Sequence, residues 1–201
     1  MGFPFRDRIL RTLSTYRGFS YVPPFSFMAM TFYQEWEDDS VVWPLGIGII
    51  LIGVLVRLWA TKHIGRRTPW MKKKGKKLVK TGPYAIVRNP LYIANIIIAV
   101  GLSVLSELAW FIPFVFLYFF ILYHFVVLYE EKKLSERWGD EYRAYVNEVP
   151  RWIPKLKNFH KYKTNGFAWM DVLRSEASSI LVILLAISIF VMKEILSPLI
   201  E

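Results

Sequence analysis

The chain has no cysteine and only three histidines among its 201 residues: His63, His124 and His160. Without cysteine, disulfides, thiolate metal ligands and a cysteine nucleophile are excluded together. The three histidines are scattered and show no metal-ligand spacing. The sequence also lacks the nucleotide-binding patterns GxGxxG and GxxxxGK[ST] and the serine-hydrolase pattern GxSxG. Any chemistry must therefore come from other residues.

Apolar residues are abundant instead. The sequence is 54% hydrophobic and 17% aromatic, which is too apolar for an ordinary soluble domain. A helix that spans the bilayer core of about 30 Å needs roughly 20 apolar residues. Four windows meet this requirement clearly: residues 41–60, 90–108, 109–129 and 177–196. A fifth stretch at 19–33 is short and contains Pro23-Pro24, so it fits either a span or a re-entrant or interfacial segment.

The basic residues indicate how these spans are oriented. Of the 26 lysines and arginines, four lie at positions 6–17, ten at 62–88 and ten at 132–174. Five spans with a cytoplasmic N-terminus place all three clusters on one side, as the positive-inside rule requires. The C-terminus is then predicted to be external. The net charge of +10 reflects this topology and attraction to anionic lipid headgroups; nucleic-acid binding is not predicted, because the basic runs flank spans.

The N-terminus does not show the charged, apolar and small-residue order of a cleaved signal peptide, so we expect the first residues to remain attached. The sequence as a whole predicts an all-α integral membrane protein with about five transmembrane helices. The first candidate functional motif lies where the basic segment at 62–88 meets the second clear span.

The stretch TGPYAIVRNPLYIAN, residues 81–95, stands at that boundary. Asn89 and Pro90 predict a helix start, because asparagine caps free N–H groups and proline suits the first helical position. The N-terminus of this helix and the charge of Arg88 make a site for an anion. Gly82 and Pro83 predict a turn whose backbone a ligand can approach closely. The alternative is a well-capped membrane helix with a snorkelling arginine.

Two adjacent acids, Glu130 and Glu131, follow the next predicted span. They face each other and the negative end of the helix dipole, so they require a cation. Lys132 and Lys133 on the same helix are one source of it. Since a short turn joins the two helices, Pro90 and Glu130 are expected at the same membrane level. An anion site would then lie beside a cation site, which suits a zwitterionic amino acid group.

The patterns TGPYxxVRNPLYxxN, EExxLxxxWGxEYxxY and VPRWIP occur in this order over residues 78–154. This order resembles the integral-membrane methyltransferases related to isoprenylcysteine carboxyl methyltransferase and phosphatidylethanolamine N-methyltransferase. The resemblance implies a cytoplasmic pocket for S-adenosylmethionine, formed by the helical hairpin and the segment after it, with a lipophilic acceptor entering from the bilayer. Arg151 and Pro154 match the family's closing turn, which is the VPRWIP segment at residues 149–154 in this chain. The residues implied in cofactor binding are Gly82, Tyr84, Arg88, Asn89, Pro90, Tyr92, Glu130, Glu131, Tyr142 and Tyr145.

The sequence departs from the family at two places. Many relatives have histidine where this chain has Asn89, and isoprenylcysteine enzymes have an arginine near Val126 and Val127. The acceptor therefore stays open among a phospholipid amine, an isoprenylcysteine-like carboxylate and another small hydrophobic substrate. An amine, thiol or phenol acceptor must lose a proton, and Glu131, His124 or a tyrosine is the candidate to accept it. Arg88 is a further candidate catalytic residue. His124 equally fits a polar residue bonded inside the bundle.

Three regions follow: an N-terminal membrane segment at 1–77, a methyltransferase-like core at 78–154 and an extension at 155–201. Phe167 and Trp169 predict an interfacial helix before the last span, and that span offers a surface for homo-oligomer formation. Two other functions remain open. One is an NADPH-dependent membrane reductase of similar helical core, for which the basic stretch 72–80 suits extra phosphates. The other is a non-catalytic membrane subunit.

Overall fold

The computed structural model of the chain describes residues 4–31, 38–64, 78–158 and 167–196, and within these ranges all regular structure is helical. The predicted all-α fold is confirmed. Short 3-10 turns occupy Phe19–Tyr21, Gly82–Ala85, Ala109–Phe111 and Leu156–Asn158. The six α-helices are α1 (Pro4–Tyr16), α2 (Val22–Met30), α3 (Asp39–Ile64), α4 (Pro90–Leu105), α5 (Ile112–Glu148) and α6 (Trp169–Leu196).

Three helices in the described ranges are long and apolar enough to cross a membrane. They are Asp39–Ile64, Trp169–Leu196, and Ala109–Glu148, in which α5 continues from the preceding turn. Their apolar side chains face largely outward, as the exposure of Leu55 and Leu181 illustrates. Apolar side chains exposed over most of a bundle suit contact with lipid, so this surface supports an integral membrane protein.

Helix α4 begins at Pro90, as predicted, but it ends at Leu105 after 16 residues, about 24 Å at 1.5 Å per residue. It is the buried centre of the bundle and packs closely on α3. A Cβ at Gly53 would lie 2.6 Å from Ile98 Cγ1, and one at Gly101 would lie 2.7 Å from Ile50 Cγ1. Glycine at these positions lets the two backbones approach, the usual device of membrane helix pairs.

The segment that contains α2 lies along α5 from one end of the apolar bundle to the other. Arg17 pairs with Glu130 at one end, and the Phe27 ring centroid lies 4.6 Å from that of Phe111 at the other. The stretch 19–33 therefore follows the path expected of a span. Its α-helix, Val22–Met30, has only nine residues, and positions 32 and 33 lie outside the described residues. The count of five spans stays a prediction.

Two boundaries differ from the sequence-based prediction. The span expected at 109–129 continues without interruption through the paired acids to Glu148, with a kink at Gly139 (φ 46°). Tyr142 and Tyr145 beyond the kink form a second small core with Val149. The last helix begins at Trp169 and not near position 177, so the segment before the predicted span and the span itself form one helix, α6. The interfacial location of its first turns stays a prediction.

Candidate functional site

The segment just before α4 and the closing turn, residues 149–154, are hydrogen-bonded to each other. Arg88 N donates to the Pro150 carbonyl at 2.9 Å, and Lys155 N donates to the Ile86 carbonyl at 2.9 Å. These backbone bonds hold the start of α4 against the segment that follows α5. Two of the family-like motifs, far apart in sequence, therefore form one site.

Glu131 lies between two arginines at this junction. Its Oε1 lies 3.0 Å from Arg88 Nη1, and Arg151 makes a two-pronged contact, Nε to Oε1 at 3.1 Å and Nη2 to Oε2 at 2.6 Å. The side chains of Arg88 and Glu131 are only 11% and 12% exposed, so water screens the pair weakly. The hydrogen bonds to Glu131 raise the pKa of Arg151. Lys133 does not supply this counter-charge, because its ammonium lies over the Tyr129 ring.

The arrangement has one more positive than negative charge, because Arg88 and Arg151 face the single carboxylate of Glu131. Arg88 Nε is buried and has no hydrogen-bond partner in the part of the chain that the structure describes, and Trp152 Nε1 is in the same condition. A buried donor without an acceptor costs about 1–3 kcal/mol. A ligand carboxylate would accept from Arg88 and balance the charge.

Glu130 has a different partner from Glu131. Its Oε1 lies 2.8 Å from Nη1 of Arg17, whose guanidinium is also 6.0 Å from the ring centroid of Tyr92. Tyr92 in turn stacks on Tyr123 at 4.6 Å. The two adjacent acids therefore face separate arginines. Sequence reasoning missed Arg17 as a member of the site; its only signal was a lone arginine immediately before a predicted span.

The cap predicted at Asn89 is wrong. Asn89 stands at the N-cap position of α4, but its side chain makes no capping hydrogen bond. Its Nδ2 donates instead to the Arg151 carbonyl at 3.3 Å. The side chain thus links α4 to the closing turn, and the positive end of the helix lacks the acceptor that an asparagine cap would supply.

Gly82 forms the predicted turn, but the space beside it is filled by protein. Its φ of +59° is in the left-handed region, and a Cβ there would lie 2.3 Å from the His63 ring. His63 Nδ1 also contacts Thr81 Oγ1 at 3.1 Å. The close approach that glycine permits here is therefore made by His63, and a direct contact of Gly82 with a ligand stays a prediction.

Three tyrosines, Tyr84, Tyr142 and Tyr145, lie close to the group formed by Arg88, Glu131 and Arg151, which we call the arginine cluster. Tyr145 Oη donates to the Tyr84 carbonyl at 2.8 Å, and the Tyr142 and Tyr145 ring centroids are 6.0 Å apart. Tyr142 lies within hydrogen-bonding reach of Arg88. The predicted site residues of the first motif and of the segment after the kink are thereby brought together.

His124 lies apart from this cluster. It is half-buried, with ring centroids of Phe120 and Phe125 at 6.4 and 6.1 Å. Phe120 also contacts Trp152 at 5.4 Å, so a chain of aromatic rings connects His124 with the closing turn. In the part of the chain that the structure describes, His124 forms no hydrogen bond or ion pair with the arginines or acids of the site, and its catalytic role stays a prediction.

A polar network inside the bundle connects the last helix to the core. Arg57 of α3 bonds Glu176 and Asn95, and its Nη2 donates to Ser179 Oγ at 2.9 Å. Asn95 Nδ2 donates onward to Tyr123 Oη at 3.2 Å. Each of these groups is compensated by another, as burial in an apolar bundle requires. The network explains why an arginine is tolerated inside α3.

The chain is similar in sequence to a known family of membrane enzymes. A profile of the phospholipid methyltransferase family matches residues 42–141. The chain is related to these membrane methyltransferases. The matched region contains nearly all of α3, the whole of α4 and most of α5, and with them Arg88, Glu130 and Glu131. It ends before Tyr142 and Arg151, which the structure joins to the same site.

Two curated relatives are similar over a comparable region. The nickel-cobalt-cadmium resistance protein NccN of Alcaligenes xylosoxydans xylosoxydans is 30% identical over 141 residues, covering 67% of this chain and 62% of the relative. The cobalt-zinc-cadmium resistance protein CzcN of Cupriavidus metallidurans is 28% identical over 136 residues, covering 66% and 59%. The chain thus spans about three-fifths of these relatives. No solved structure matches it.

Proposed function

We propose that this protein transfers a methyl group from S-adenosylmethionine to a lipophilic acceptor that enters from the bilayer. The observation that carries the proposal is the buried, net positive cluster of Arg88, Glu131 and Arg151, with a donor of Arg88 left unpartnered. The cluster lies at the end of an apolar bundle in a chain related to phospholipid methyltransferases. An amino acid carboxylate fits such a cluster.

The residues present suit both charged groups of the amino acid part of the cofactor. Arg88 and Arg151 are proposed to hold its carboxylate through charge-assisted hydrogen bonds. Glu130 and Glu131 are proposed to hold its ammonium, since a carboxylate has about four acceptor positions and can serve several donors. Gly82, Tyr84, Asn89, Pro90, Tyr92, Tyr142 and Tyr145 are proposed to shape the remaining pocket.

When bound, the cofactor supplies an electrophilic methyl group on a sulfonium. The protein's task is then to align an acceptor with that methyl group and to exclude water, an effect worth up to about 7–11 kcal/mol in well-oriented systems. A carboxylate acceptor would need no proton acceptor. For an amine acceptor we propose His124, because Glu131 is already engaged by two arginines.

The relatives' names connect them with resistance to nickel, cobalt, zinc and cadmium. We extend to this chain, as part of the proposal, a contribution to metal resistance through methylation of a membrane component. The NADPH-dependent reductase and the non-catalytic subunit are the competing functions. The relation to methyltransferases favours methyl transfer over both, and residues 72–77 of the basic stretch that suited NADPH lie outside the described residues.

The decisive experiment uses the purified full chain in detergent with isotope-labelled S-adenosylmethionine and extracted membrane lipids. We expect labelled methyl to appear in a lipid product, and S-adenosylhomocysteine but not NADPH to bind. The matched control is Arg143→Lys, because Arg143 is an exposed arginine paired only locally with Asp140. Binding of NADPH without S-adenosylhomocysteine would indicate the reductase, and binding of neither would indicate the subunit.

A further inference from the structure

Three acids from separate elements meet at the end of the bundle opposite Arg88. Asp39 is the first residue of α3, Glu107 lies in the turn between α4 and α5, and Glu194 lies in the last turn of α6. One carboxylate oxygen of each lies within 4.8 Å of those of the other two. Like charges at this distance repel, so the group is costly unless a cation or proton compensates it.

Glu107 supplies the independent observation that a ligand is needed. The residue is only 4% exposed, and its Oε1 is buried and receives no hydrogen bond from the described part of the chain. The side chain points into the group, because one of its oxygens is among those within 4.8 Å. A buried carboxylate oxygen without a donor is unfavourable until it gains a ligand. Lys193 Nζ donates to the Ser106 carbonyl and also interacts with the charges of Glu107 and Glu194. This ammonium offsets one of the three negative charges, so two remain for a cation to balance.

We propose that Asp39, Glu107 and Glu194 bind one divalent metal cation. Their separations of up to 4.8 Å suit ligands on opposite sides of an ion with metal–oxygen distances of about 2.3–2.6 Å. The donor set contains carboxylate oxygens and no histidine or cysteine, so it favours hard cations such as Ca²⁺ and Mn²⁺. The site is distinct from the arginine cluster and does not depend on methyl transfer.

A proton is the competing ligand. Burial and the neighbouring carboxylates of Glu194 and Asp39 raise the pKa of Glu107 to about 7. The two cases differ in what they do to the fold. A proton neutralises Glu107 alone, whereas a metal ion joins α3, the α4–α5 turn and α6. The metal ion therefore stabilises the folded chain by an amount that rises with the logarithm of its concentration once this exceeds the dissociation constant.

The test is Mn²⁺ binding to the metal-free full chain in detergent, followed by electron paramagnetic resonance, with thermal unfolding as the second readout. We expect about one Mn²⁺ per chain, competition by Ca²⁺ and a higher melting temperature with the ion. Glu107→Gln should weaken Mn²⁺ binding by at least about tenfold, since even indirect ligand partners cost tenfold or more.

The controls keep each outcome informative. Glu136→Gln changes an exposed acid on the far part of α5 and should bind Mn²⁺ as the wild type does. If Glu107→Gln fails to fold, Asp39→Asn, which alters an exposed residue at the start of α3, should show the same loss. Absence of Mn²⁺ binding in the wild type would overturn the proposal, and so would binding that is equal in the wild type and the cluster variant.

Discussion

Arg88 Nη1 lies 3.0 Å from Glu131 Oε1, which joins the start of α4 to the middle of α5. Arg151 contacts the same carboxylate from the closing turn. One acid thus holds together two cations from different segments, and the local excess of positive charge is built into the fold. A charged group held in place by protein partners needs little reorganisation when an anionic ligand arrives.

The first prediction concerns the geometry of Arg88. Lysine keeps the charge but cannot reproduce the planar fork of a guanidinium, so Arg88→Lys should lose affinity for S-adenosylhomocysteine by about tenfold or more. Calorimetry on the purified variant measures this, with Arg143→Lys as the control. If Arg88 instead holds a phospholipid headgroup, cofactor affinity would be spared while methyl transfer to lipid declined.

Glu131 is predicted to matter for binding through its charge. Glu131→Gln should weaken S-adenosylhomocysteine binding by about 1–3 kcal/mol, the usual effect of losing a charged hydrogen bond. It should also lower thermal stability, because Arg88 and Arg151 lose their shared counter-ion. The exposed Glu136→Gln should change neither quantity. Unchanged affinity in a folded Glu131→Gln protein would assign this acid to stability alone.

Gly82 gives a prediction about folding. Gly82→Ala places a Cβ on a left-handed backbone and 2.3 Å from the His63 ring. We therefore expect the free energy of unfolding to fall by about 1–3 kcal/mol, which a lower melting temperature would show. Gly48→Ala, where a Cβ meets nothing within 4 Å, should be neutral or stabilising in its helix. Adding His63→Ala should recover only the steric part. Equal melting temperatures for both alanine variants would contradict this account.

Membrane topology can be tested without the active site. Five spans with a cytoplasmic N-terminus predict an external C-terminus, so an alkaline phosphatase fused after Glu201 should be active outside the cytoplasmic membrane. A green fluorescent protein at the same position should not fluoresce after export in an unfolded state. The reverse result would refute the predicted count of five spans.

Local signals in the sequence predicted the helical fold and part of the site. Pro90 starts α4 as expected, because its fixed φ and missing N–H act on its own turn. Asn89 fails as a cap because a distant carbonyl, that of Arg151, competes for its amide. That competition depends on tertiary structure, which residue type and spacing do not reveal.

Long-range charge pairs explain the remaining differences. The sequence offered Lys132 and Lys133 as neighbours for the paired acids, yet Glu130 contacts Arg17 and Glu131 contacts Arg88. Arg17 comes from a segment far away in the chain, so only the packing of that segment along α5 reveals its partner. The pairing of Arg57 with Glu176 across α3 and α6 was hidden for the same reason.

The proposed function depends above all on binding of the methyl donor by the arginine cluster. The most direct measurement is equilibrium binding of S-adenosylhomocysteine to the wild type, Arg88→Lys and Arg143→Lys in the same detergent. We expect saturable binding by the wild type and by Arg143→Lys, with a marked loss for Arg88→Lys. Equal binding by all three proteins, or no binding to the folded wild type, would contradict it.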